Sequence, residues 1–247
     1  MGRWRDASAL AIASAWPGSL AGRACGGPRT SFLNRGLSTL EILAYDRSMD
    51  SQHKFWDSVA HKKRFGHPLV TGELVARTGL DARVLDYGCG YGRSIRELRQ
   101  AGFTHLFGAD SSSGMLGRAS KENPFACYVR TSGAEIPFSN GSFDAVLLVA
   151  VLTCTPDSRD QLRLFGEVWR VLKDGGILYV SDLLINSDAR NRERYQRFGP
   201  AHGCYGVFEL GEGVTLRHHT REHLERLTAP FKTLSAQEFQ VETMNGH

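Results

Sequence analysis

Apolar positions along the chain fall into two alternating patterns. Between residues 83 and 184, short runs rich in apolar residues alternate with stretches in which apolar residues recur every three to four positions. The runs are Arg83–Tyr87, His105–Asp110, Phe125–Arg130, Phe143–Val151 and Ile177–Leu184. Phe143–Val151 is almost continuously apolar, as a strand covered on both faces should be. The stretches between them, Tyr91–Ala101, Ser112–Lys121 and Gln161–Leu172, read as helices. In the last, Leu162, Phe165, Trp169 and Leu172 share one stripe. Gly102 and the pair Gly175-Gly176 supply stop signals. This alternation predicts an α/β fold, a mostly parallel sheet with helices on both faces.

Upstream, residues 52–65 place Phe55, Trp56, Val59 and Ala60 on one face of a helix that should end near Gly66, before Pro68. A second short helix is expected over 69–78, stopped by Gly79. Residues 1–48 differ. They are rich in Ala, Gly, Ser and Arg, nearly free of acids before Glu41, and show no sustained stripe. Two readings stand: an organellar transit-like segment, or a disordered extension preceding a start at Met49. The domain is then expected over 49–247. The protein is expected in the cytoplasm, or in a mitochondrion or plastid if 1–48 is a transit peptide.

With 247 residues there is material for one α/β domain and an appendage. No apolar run reaches about 18 residues, so no membrane span is predicted. The net charge of +4 is uneven. Residues 1–48 carry six Arg and three acids, leaving 24 basic and 23 acidic residues for the rest. A nearly neutral body offers no electrostatic footprint for a nucleic-acid backbone. Five widely spaced cysteines without a C-x-x-C pair fit free thiols in a reducing compartment better than a disulfide framework.

The residues that change the picture are Asp86-Tyr87-Gly88-Cys89-Gly90-Tyr91-Gly92, a D-x-G-x-G-x-G turn between a strand and a helix. Glycines there let a ligand approach the backbone closely. The helix N-terminus behind them presents unpaired N–H groups to an anion. The spacing is not the dinucleotide G-x-G-x-x-G. Asp110 follows 22 residues after Gly88, at the end of the next strand. There it is placed either to accept two ribose hydroxyls or to cap the helix that follows.

Further motifs occur in order: Ala134-Glu135-Ile136-Pro137-Phe138, Gly141-Ser142-Phe143-Asp144, Val151–Asp157, and Glu167-Val168-Trp169-Arg170-Val171-Leu172-Lys173-Asp174-Gly175-Gly176. Together with the glycine turn they resemble the class I S-adenosylmethionine-dependent methyltransferases, in the small-molecule branch that includes quinone-biosynthesis enzymes. The resemblance covers roughly 83–184 and implies a Rossmann-like sheet with S-adenosylmethionine as cofactor. It implies that Asp86 and the Gly88–Gly90 backbone hold the methionine moiety and that Asp110 holds the ribose. Ser111 and Met115 would border the adenine, with Gly133 and Ala134 on its other side. Ser132 stands where the family often has Asp, and Thr153-Cys154 where it often has His-His, so the acceptor pocket is not that of the quinone enzymes. The family closes its sheet with two strands after the last helix, and only 17 residues follow Pro230 here.

Residues 183–230 are expected to form an acceptor-site insertion or lid. They hold a cluster of Arg190, Arg192, Arg194 and Arg197, open to two readings: a solvated helix face or a grip on an anion. They also hold Tyr205 in a glycine-containing loop and the histidines His218, His219 and His223. Tyr205, His218 and His219 are the candidates for orienting an acceptor or moving its proton. The histidine spacing matches no standard zinc pattern, so no metal is expected. Trp56 and His67 are candidates for an N-terminal lid. The function expected is methyl transfer to a small molecule. An RNA or protein methyltransferase and a non-catalytic cofactor-binding module are the rivals.

Overall fold

The computed structural model describes residues 5–14, 52–133, 135–211 and 213–242. It opens with β1 (Arg5–Ser14), α1 (52–59) and α2 (Thr71–Thr78). The alternating region supplies β2 (Arg83–Tyr87), α3 (Arg93–Gln100), β3 (His105–Asp110), α4 (Ser113–Glu122) and β4 (Cys127–Arg130). It continues through β5 (Phe143–Val149), a 3₁₀ turn (Leu152–Cys154), α5 (Ser158–Val171) and β6 (Leu172–Leu183). After it come α6 (Ala189–His202), β7 (Val207–Glu209), β8 (Thr215–Arg217), α7 (Arg221–Thr228) and β9 (Lys232–Glu242).

The sheet order is β4-β3-β2-β5-β6-β1-β9. The first five strands are mutually parallel, as the alternation predicts. Side chains of β5 show why its sequence is apolar throughout. Val146 and Leu148 join the cluster with Leu164 and Val168 of α5 and Leu224 and Leu227 of α7. Ala145 and Leu147 join the opposite cluster, with Leu74 of α2 and Ile95 and Leu98 of α3. Successive residues of a strand face opposite sides, so a strand covered on both needs no polar alternation.

Three expectations are corrected. First, residues 5–14, read as part of an unstructured or transit-like extension, form a strand. β1 runs antiparallel to β6, with Ser8 opposite Leu183 and Ser14 opposite Ile177. Its other edge pairs antiparallel with β9, from Arg5 opposite Glu242 to Ser14 opposite Lys232. A strand held by backbone ladders on both edges needs no helical stripe, so its sequence carries none. The rest of 1–48 lies outside the described residues. Among the described residues one strand, β9, follows α7, and the place beside β6 is taken by β1.

Second, the buried face of α5 runs through Leu164, Phe165, Val168 and Val171, which keeps Phe165 of the predicted stripe, and Leu172 just after the helix is buried too. Leu162 and Trp169 are exposed, and Trp169 meets Phe231 edge-on at 5.1 Å. Both sets satisfy a 3.6-residue period, and contact with β5 and α7 decides between them. Third, only the first part of 183–230, α6 with the β7–β8 hairpin, departs from the sheet. Leu224, Leu227 and Phe231, on and just after α7, return to the main core.

Candidate functional site

The parallel strands end at one edge of the sheet, and a cavity of about 570 Å³ opens there, where α/β sheets bind ligands. Its floor is the turn after β2. Gly88 and Gly90 hold φ values of 71° and 53°, which favour glycine. A Cβ on Gly88 would stand 2.7 Å from a methyl of Val151, and one on Gly90 2.9 Å from the ring of Phe65. The N–H groups of Gly88 and Cys89 both donate to Ala109 O, at 2.7 and 3.1 Å, tying the turn to β3. At the end of β5, Ala150 also takes a positive φ, 56°, unusual for a residue with a side chain. Its N–H donates to Ser181 O at 2.8 Å.

Asp86 is 2% exposed, and its Oδ2 has no hydrogen-bond partner among the described residues. Burial raises its pKa to about 7; Asp110 pushes the same way and Arg93 opposes. An orphaned, buried carboxylate oxygen on a cavity wall is a seat for a cation. Asp110 is also raised, chiefly by burial, against hydrogen bonds that hold it down. Its Oδ2 accepts from Gly90 N–H at 2.8 Å and its Oδ1 from Ser112 N–H at 2.9 Å. Each oxygen keeps a further lone pair for a ligand hydroxyl. Asp110 does not cap α4: Ser112 does, its Oγ accepting from Met115 N–H at 3.1 Å.

The segment 52–67 crosses above this floor. Phe65 stacks on Tyr91 at 5.3 Å, and its N–H donates to the Tyr91 hydroxyl at 3.0 Å. The Arg118 guanidinium lies 3.9 Å from the Tyr91 ring and donates to the carbonyls of Ala60 and Lys63. Asp57 accepts from Ser112 Oγ at 2.5 Å and from Gly114 N–H at 2.9 Å, fastening α1 to the start of α4. Gln52 Nε2 donates to Thr215 O at 2.6 Å, tying α1 to β8. Trp56 and His67 both line the cavity. Burial lowers the His67 pKa to about 4, and its Nε2 lies 2.6 Å from Ser181 Oγ.

The far wall comes from α6 and the hairpin. His218 is buried, with Nδ1 2.6 Å from the Tyr195 hydroxyl. Burial first, then the charge of Arg194, lowers its pKa to about 3. Asp182, at the end of β6, accepts from the N–H groups of Leu152 and Thr153 at 2.8 and 3.0 Å. Thr153 Oγ1 in turn donates to Arg217 O at 2.5 Å, linking the turn after β5 to the hairpin.

Of the predicted cofactor residues, Asp86, Gly88, Gly90, Asp110, Ser111, Met115 and Gly133 line this one cavity; Ala134 lies outside the described residues. The three acceptor candidates are separated. His218 is on the wall. His219 is 1% exposed and stands behind it, with Nε2 2.9 Å from Gln161 Nε2 and Nδ1 3.3 Å from Leu183 O. Tyr205 is 51% exposed, off the cavity wall, with its ring edge-on to Tyr195. Neighbours in sequence on an extended segment point to opposite sides, so one histidine of a pair faces the cavity and the other the core. Arg190 and Arg194 line the cavity, while Arg192 and Arg197 are exposed. Sequence reasoning missed Asp182 and Asp57. A charged residue inside the apolar run Ile177–Leu184 was the available signal for Asp182. Among the described residues no three His, Cys, Asp or Glu gather as metal ligands.

The parallel sheet, the G-x-G-x-G turn after its first parallel strand and the acid ending the next are the features on which the resemblance to class I S-adenosylmethionine-dependent methyltransferases rests. Residues 85–180 match the model of the methyltransferase domain family. An uncharacterised methyltransferase of Synechocystis is 38% identical over 127 residues, 51% of this chain and 57% of the relative. A trans-aconitate 2-methyltransferase of Deinococcus radiodurans is 32% identical, covering 64% of this chain and 62% of the relative. A sterol 24-C-methyltransferase of Schizosaccharomyces pombe is 27% identical, covering 69% and 47%. The chain thus spans less than two thirds of the length of each of these relatives. A solved S-adenosylmethionine-dependent methyltransferase from Methanosarcina mazei superposes with a TM-score of 0.59 at 27% identity, covering 64% of this chain and 82% of the other. Among the described residues no helix is long and apolar enough to cross a membrane.

Proposed function

We propose that the protein transfers a methyl group from S-adenosylmethionine to a small-molecule acceptor. The observation that carries this reading is a single cavity bounded at one end by Asp86 and Asp110 and at the other by His218 and Phe208. Cofactor and acceptor can therefore meet inside one enclosure. When bound, the cofactor supplies a methyl group already activated by its sulfonium. The protein's residues bind, orient and exclude water. Asp86, with its orphaned oxygen, would take the ammonium of the methionine moiety. Asp110 would accept the ribose hydroxyls, and Met115 and Gly133 would flank the adenine. The names of the relatives, a sterol and a trans-aconitate enzyme, support an acceptor of small-molecule size.

His218 acts in this reading by orientation. With its pKa at about 3 it is too weak a base to take a proton efficiently near neutrality. Asn186 N–H donates to the Tyr195 hydroxyl at 3.3 Å, and the same hydroxyl lies 2.6 Å from His218 Nδ1, which fixes the orientation of the imidazole.

Isothermal titration tests the reading. S-adenosylmethionine and its demethylated product should bind at micromolar level, and Asp110→Ala should weaken both by one to two orders of magnitude, as expected for lost charge-assisted hydrogen bonds. Preference for a nicotinamide dinucleotide would overturn it.

A further inference from the structure

Besides His218, a second buried imidazole lines the cavity: His67, 7% exposed, at the end of the segment that crosses above the floor. We propose that His67 Nδ1 holds the atom that receives the methyl group, and that this atom is an oxygen or a nitrogen rather than a carbon. This rests on the methyl-transfer reading and names its acceptor class.

Three observations carry it. The first is a free nitrogen. Nε2 lies 2.6 Å from the hydroxyl of Ser181, a fully buried residue of β6. Nδ1 makes no hydrogen bond among the described residues and is not sealed inside the protein. Burial lowers the pKa of the ring to about 4, against the opposing charge of Asp182, so the ring is neutral near pH 7. A neutral imidazole has one donor and one acceptor nitrogen. With Nε2 taken by Ser181, Nδ1 keeps one directional hydrogen bond for a ligand in either tautomer, and a carbon nucleophile offers it no partner.

The second is fixity. Ser181 holds one edge of the ring, and Phe239 of β9 meets it edge-on at 5.9 Å. A group held from two sides can orient a partner without first being ordered itself. The third is place. Asp86 and Asp110 lie on β2 and β3, whereas Ser181 lies on β6, across β5 from β2. Two strand steps of about 4.8 Å put roughly 10 Å between β2 and β6, a span that one small molecule can bridge. Ser181 O also accepts from Ala150 N–H at 2.8 Å, which joins the imidazole's anchor to the turn after β5. Ala150 and Val151 of that turn line the same cavity.

In the transfer, a lone pair of the acceptor oxygen or nitrogen forms the new bond to the methyl carbon as the bond to sulfur breaks, its electrons staying on sulfur. Any proton on the acceptor atom passes to water. His67 aims the lone pair.

The test rests on a pair of substitutions. Asn places an amide where His67 has Nδ1, and Gln places one where it has Nε2, so the two separate the cavity contact from the tether to Ser181. The full chain is incubated with isotope-labelled methyl donor and a metabolite extract, and the methylated product is read by NMR and mass spectrometry. The methyl group should sit on oxygen or nitrogen. With the acceptor so identified, His67→Phe should lower kcat about tenfold or more, with affinity for the demethylated cofactor and thermal midpoint unchanged. His67→Asn should recover much of the rate and His67→Gln little; if the Phe variant does not fold, this pair decides alone. A rate recovered by Gln as well as by Asn would make the ring a tether for the segment and overturn the proposal. So would a methyl group on any other atom, or a His67→Phe variant as active as the wild type. Each of these leaves methyl transfer standing. Label in no product, with cofactor bound, overturns methyl transfer and this inference with it.

Discussion

The two ends of the cavity are built by different means. The cofactor end is made largely of backbone: a glycine turn, N–H groups and two carboxylates at strand ends, nearly all within residues 86–133. The acceptor end is made of side chains from α1, the turn after β5, α6 and the hairpin, drawn from positions as distant as Gln52 and His218. Backbone geometry tolerates little variation, whereas a wall of side chains can be rebuilt residue by residue. One end should therefore fail sharply when altered and the other by degrees.

The sharpest test of that contrast is Gly88→Val. The positive φ and the overlap with Val151 each cost about 1–3 kcal/mol, so cofactor affinity should fall about a hundredfold or more by titration. A variant that binds within tenfold of the wild type would show the turn to be as forgiving as the far wall.

Next in size is the response to acid. Burial favours the neutral form of Asp86 and holds its pKa at about 7. A cationic ammonium needs the ionised form, so binding requires proton loss below that pH. Affinity should therefore weaken as pH falls through 7, approaching about tenfold per unit. Titrations from pH 8 to 5.5 check it, and Asp86→Asn should bind weakly with a flat profile. A wild-type profile that is itself flat would remove Asp86 from the cofactor seat.

At the acceptor end, His218→Phe should reduce turnover about tenfold while cofactor affinity stays within about twofold, because orientation is lost and the floor is untouched. Equal losses in both would make the imidazole a structural part of the whole cavity. The smallest effect is expected from Tyr205→Leu, off the wall. Its turnover should stay within about twofold of the wild type, and a loss matching that of His218→Phe would bring Tyr205 back to the acceptor.

Legibility in the sequence follows the same division. The five parallel strands and the residues from Asp86 to Gly133 could be read because local spacing encodes them: a strand's apolar run, a glycine turn, an acid at a strand end. His218 and His219 could not be told apart, since only the packing of the hairpin onto Gln161 and Tyr195 turns one inward and the other away. The same holds for Arg190 against Arg192. Asp182 was passed over because its partners, the N–H groups of Leu152 and Thr153, lie a whole helix away in sequence. β1 escaped because its pairing partners, β6 and β9, are among the most remote segments of the chain.

That last pairing bears on how the molecule is made. Arg5 faces Glu242, so the sheet's final ladder closes across nearly the whole described chain. Contacts between such distant residues form late, after the loop entropy between them has been overcome. On a ribosome the first strand emerges long before either neighbour exists; it can pair with β6 once that strand is made, but its other edge stays open until β9 is synthesised. The cofactor floor, assembled from residues close in sequence, can be standing by then, so the nascent protein could hold its ligand before its sheet is complete.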